Sequence, residues 1–75
     1  MGLYGGPVEK LNKLLSGKIV ERVEEPSGDD IFILQVREVR EDGKLGKITR
    51  IRINATDLGW WFETQRRPGA HWTEK

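Results

Sequence analysis

Two apolar-rich stretches of this chain flank Asp42-Gly43, and the first is apolar on both sides at Ile31, Phe32, Ile33 and Leu34. Asp-Gly between two such runs signals a two-residue hairpin, because a type I′ turn needs positive φ at both central positions. Folding there sets Phe32 opposite Ile53, Leu34 opposite Ile51, Val36 opposite Thr49 and Glu38 opposite Lys47. All four pairs share one face, and cross-strand pairs of this kind stabilise a sheet. The other face carries Ile33 against Arg52, Gln35 against Arg50 and Arg37 against Ile48. The pattern predicts a sheet with two unlike faces.

Upstream, the spacing changes from two to about four. Val8, Leu11, Leu14 and Leu15 share one side of a helix over residues 7–16, opened by Pro7 and stopped by Gly17. A helix so short does not hold in water alone, so it is expected to dock on the apolar face of the sheet. Lys18–Glu25 reads as the first strand, Asp30–Arg40 as the second and Leu45–Asn54 as the third. Pro26-Ser27-Gly28-Asp29 supplies turn residues for the first loop. Placing Val23 opposite Phe32 puts Ile19 opposite Val36 and leaves Glu21 on the apolar face, at the sheet edge. The expected order is 1-2-3, an antiparallel meander with the helix across it.

Beyond Asn54 the aromatic run Trp60-Trp61-Phe62 favours a short fourth strand at 60–65. In a strand Trp60 and Phe62 point one way and Trp61 the other. Residues 66–75 read as a flexible tail.

The chain has 75 residues, which makes one small domain near the lower size limit for a self-sufficient core. It has no cysteine, so neither disulfides nor a zinc–thiolate centre are available, which fits a reducing compartment. No apolar run is long enough to span a membrane, and the start does not resemble a secretory leader. A cytoplasmic protein is expected. Net charge is only +1, against binding nucleic acid through bulk charge alone. The charge is uneven: residues 1–42 carry nine acids and six bases, and residues 43–75 carry seven bases and three acids.

Catalysis is poorly provided for. The only histidine, His71, lies near the C-terminus with no second histidine or cysteine to share a metal. Ser16 and Ser27 suit capping and turn formation. Glu24-Glu25 and Asp29-Asp30 bracket a loop but lack the calcium-loop spacing. Gly43-Lys44-Leu45-Gly46-Lys47 lacks the Gly-Lys-Ser/Thr ending of a phosphate loop. No catalytic residue, cofactor or metal site is expected.

Two constellations remain. Arg22, Arg37, Arg50 and Arg52 share the second sheet face, and arginine suits phosphate forks and base stacking. Aromatics of the kind that stack bases are missing from those strands, and a solvent-facing side with arginine stems lying over isoleucines explains the pattern better. The second constellation is Trp60-Trp61-Phe62 followed by Arg66-Arg67 and, in the tail, Trp72, an aromatic group rimmed by arginine as in interface hot spots. The reading is therefore an α+β domain over 1–75 that is not an enzyme. It is expected to bind a protein partner, or a second copy of itself, through the tryptophan segment and an exposed strand edge. Nucleic acid, held by the arginine face and Arg66-Arg67, is the alternative partner.

Overall fold

The computed structural model describes residues 2–25, 30–56 and 58–74, with side chains from Val8 onward. A single helix, α1 (Gly2–Leu15), is followed by strands β1 (Lys18–Glu24), β2 (Ile31–Val39), β3 (Leu45–Thr56), β4 (Gly59–Gln65) and β5 (Thr73–Glu74). All neighbours pair antiparallel in the order β1-β2-β3-β4-β5. The sheet thus has five strands, not the three or four the sequence pattern implied. The helix also starts earlier than residue 7, running through glycines and Pro7 that argue against it. Propensity is a weak prior, and here it misplaced the boundary. The Pro26–Asp29 loop lies outside the described residues.

The β2–β3 register follows the hydrophobic pattern over most of its length. Phe32 pairs with Ile53, Leu34 with Ile51, Val36 with Thr49 and Arg37 with Ile48. The turn is different. Gly43 has φ +84°, but no non-glycine residue described has positive φ, so Asp42 cannot complete a type I′ turn. Instead Gly43 N donates to Arg40 O at 2.9 Å and Arg40 N donates to Lys44 O at 2.8 Å, enclosing Glu41-Asp42-Gly43 as a three-residue loop. Asp42 braces it by accepting the Lys44 N–H at 2.9 Å. Such a loop alone would shift the pairing by one residue and turn every side chain over. A bulge restores it: Val39 pairs with Leu45 and Arg37 with Ile48, so Gly46 and Lys47 together face Glu38. The expected Glu38–Lys47 pair is absorbed into that bulge.

A second irregularity reshapes β1. Val20 pairs with Val36 but Arg22 with Gln35, leaving Glu21 as the extra residue. Val23 therefore meets Leu34 rather than Phe32, and Val20 rather than Ile19 meets Val36. Ile19 falls opposite Arg37, on the second face. The bulge also spares Glu21 the apolar face, since its carboxylate reaches Gln35 and Arg37 on the other side.

The core is Val36, Ile51 and Phe62, with Leu11, Leu14, Leu15, Leu34, Ile53 and Trp60 packed around them. Here too the expectation needs correcting. The helix sits mainly against β4, not across β1–β3. Phe62, the largest fully buried side chain, extends under its leucines the apolar floor that Val36 and Ile51 begin. One consequence reaches the far edge. On β1, Val20 and Val23 point to the helix side yet stay 48% and 61% exposed.

Candidate interaction surfaces

Arg22, Arg37, Arg50 and Arg52 do share the second face, because Arg22 lies opposite Gln35, Gln35 opposite Arg50 and Ile33 opposite Arg52. They are not a free cationic surface. Glu21 accepts from Arg37 Nε at 3.1 Å and from Gln35 Nε2 at 3.2 Å. Glu24 accepts from Arg50 Nη2 at 3.4 Å and lies 3.5 Å from Arg22 Nε. Glu63 accepts from Arg52 Nε at 2.8 Å and from Asn54 Nδ2 at 3.1 Å. These bonds to the ionised form hold the carboxyls of Glu21 and Glu63 below the ordinary glutamate range, Gln35 leading for Glu21 and Arg52 for Glu63. Four guanidinium groups thus meet three carboxylates in one ladder.

The C-terminal segment closes this face. Ala70 N donates to Arg67 O at 3.1 Å, and Gly69 has φ +87° after Pro68. Proline then left-handed glycine is the signature of a type II turn. It sends the chain back along β4, where Thr73 pairs with Thr64 and Glu74 with Glu63. Trp72 comes to rest with its ring centroid 4.4 Å from Arg52 Cζ and 5.9 Å from Arg50 Cζ, within cation–π range. Buried Gln65 holds the return in place. Its Nε2 donates to Ala70 O at 2.8 Å while its Oε1 accepts from Arg50 Nη1 at 3.3 Å. Residues 66–74 are therefore a turn and a fifth strand, not a frayed tail. The sequence reading passes over Gln65 and leaves Trp72 in the tail. The Pro68-Gly69 dipeptide was the signal that could have found them.

The aromatic run divides as strand alternation requires. Trp60 and Phe62 face the helix side, their ring centroids 6.3 Å apart. Trp61 faces the arginine side opposite Asn54 and is 40% exposed. With fully exposed Leu58, Thr56, Gly59 and Trp60, it lines an open recess of about 400 Å³ where β3 turns into β4. Thr56 Oγ1 accepts from Leu58 N at 3.2 Å and donates to Gly59 O at 3.1 Å, fixing that turn. Because β5 pairs only with Glu63 and Thr64, the outer edge of β4 from Gly59 to Trp61 carries no strand among the described residues.

Arg66 and Arg67 do not rim Trp61. They line a separate recess of about 310 Å³ with Ala70, His71 and Thr73. At about 3.3 Å per residue, it lies some 16 Å along β4 from Trp61. Among the described residues, no group of three or more His, Asp or Glu side chains converges as a metal site would need. No described helix is long and apolar enough to cross a membrane. Comparison with protein-family models, curated proteins and solved structures finds no match to this chain.

Proposed function

We propose that this chain is a non-enzymatic module that binds a protein partner at the β3–β4 end of the sheet, in the reducing cytoplasm. The observation that carries the reading is an exposed tryptophan, Trp61, and a fully exposed leucine, Leu58, beside a strand edge at Gly59–Trp61 that carries no partner strand among the described residues. A partner segment in extended form would add main-chain hydrogen bonds along that edge and bury the two side chains. Large aromatics in such positions carry most of the energy of small interfaces. Of the residues singled out in the sequence, Trp61 is the anchor. Trp60 lines the recess and Phe62 supports it from the core.

Nucleic acid is the weaker reading. A phosphate approaching Arg37, Arg50 or Arg52 would compete with carboxylates already within 3.4 Å. A photo-crosslinking amino acid at position 58, with a control at position 41 in the β2–β3 loop, tests the proposal in the native host. Cross-links to one protein species at 58 only, lost on Trp61→Ser, are the expected result. Equal yields at both positions, or yields unchanged by Trp61→Ser, would overturn it.

A further inference from the structure

At the opposite edge of the sheet, β1 carries a device that its own second copy matches. The Glu21 bulge places two successive residues, Glu21 and Arg22, on the arginine side. Outward from that pair, Val20 and Val23 both face the helix side and Ile19 and Glu24 both face the arginine side. The order of faces therefore reads the same from either end of the strand. In a regular strand the residues flanking a central pair fall on opposite faces, so no two-fold register could centre there.

We propose that two copies of this chain associate edge to edge through β1, about a two-fold axis passing between Glu21 and Arg22. In this register Val20 lies opposite Val23 of the other copy, and Glu21 opposite Arg22 of the other copy, each pair occurring twice. Lys18 falls opposite Glu25, just past the strand end. The chemistry agrees with the geometry at these three pairs: apolar against apolar, acid against base, base against acid. Ile19 against Glu24 is the one mismatched pair.

Charged residues and a bulge ordinarily protect an edge strand, because the bulge cannot match a regular strand and the charges resist burial. A second copy is the exception. It presents the same irregularity at the same place, and its charges are of the opposite sign at the Glu21–Arg22 and Lys18–Glu25 positions. The two exposed valines of each copy then form one four-valine cluster on the helix side, where α1 leaves β1 uncovered. Arg22, whose side chain is 66% exposed, is free to swing from Glu24 to the facing Glu21. An isologous contact of this kind closes on itself.

Sedimentation equilibrium on the full chain tests this, with unfolding midpoints measured for each variant. The expected species has twice the 8.6 kDa chain mass. Arg22→Glu places four carboxylates around the axis and should weaken association at least about tenfold. Glu21→Arg places four guanidinium groups there and should do the same. Mixing the two variants restores complementarity, and a mixed dimer should form. Val23→Glu, at an exposed position outside the core, provides a disruption that does not depend on the Glu21 contacts. Trp61→Ser should leave the dimer intact, which separates this edge from the β4 edge proposed for a different partner. A chain that stays monomeric up to about 1 mM, near the weak limit of useful affinity, would overturn the proposal. A dimer lost on Trp61→Ser but kept on Arg22→Glu and Val23→Glu would also overturn it, placing the contact at β4.

Discussion

The two faces of this sheet are held by different physics. On the helix side Val36, Ile51 and Phe62 are fully or almost fully buried, and the stabilisation is area removed from water. On the arginine side, among the described residues, only Ile33 and Gln65 are buried, and what occupies the surface is a ladder of guanidinium, amide and carboxylate groups closed by Trp72. Apolar burial has no direction and tolerates small displacements. A polar ladder works only at set distances, and part-exposed ion pairs contribute little each. One face therefore provides the free energy. The other fixes where the chain's last segment lies.

That division predicts unequal costs. Phe62→Ala should be the most damaging single change, at roughly 3–5 kcal/mol for truncating a buried phenylalanine. A small domain has little more than that in total, so the variant should be largely unfolded at room temperature by circular dichroism. Retention of a cooperative transition within a few degrees of the parent would show that the helix-side core is not the source of stability.

Gln65→Ala probes the other face. It removes the donor to Ala70 O and the acceptor for Arg50, a guanidinium whose Nε already lacks a partner among the described residues. The expected loss is about 1–3 kcal/mol, the cost of leaving buried polar groups unpaired. The release should be local as well as global. Amide exchange at residues 70–74 should speed up far more than at β2 and β3. Uniform acceleration across the sheet would mean that Gln65 supports the fold generally and does not specifically hold the C-terminal return.

How much of this could be read from the chain follows the same line. The β2–β3 register was legible at Phe32–Ile53 and Leu34–Ile51 because alternation has a period of two, and a slip would expose all the apolar residues at once. The reading survived even an error in the turn, since the bulge at Gly46-Lys47 cancels the extra loop residue. The opposed directions of Trp61 and its neighbours were legible for the same reason. Both bulges were not. They depend on local compromises, such as Glu21 escaping the apolar face, that leave no periodic trace. The β5 return was missed because its anchors, Arg50, Arg52 and Gln65, precede Trp72 by up to two dozen residues and act through side-chain geometry. The recess at Leu58 and Trp61 was half visible. The tryptophan was singled out, but the arginines expected to rim it lie at the other end of β4.

The smallest expected effect sharpens the contrast most directly, because it acts on the polar face alone. Glu63 accepts from Arg52 and Asn54, and its carboxyl titrates below the ordinary glutamate value of 4.5. A carboxyl whose pKa is lowered by folding contributes stability that is fully present above its unfolded value and fades as pH falls through the folded one. Glu21, held down by Gln35 and Arg37, works in the same direction. Lowering the pH from about 6 to about 3 should therefore destabilise the parent, and Glu63→Gln should flatten that slope. At neutral pH the same substitution should cost less than about 1 kcal/mol, since the pair is partly open to solvent. Added salt should narrow the difference between parent and variant, as screening predicts for exposed charges. The measurement is the unfolding midpoint against pH for both chains. Parallel slopes would show that the ladder positions the chain without coupling to stability, leaving the helix side as the sole contributor.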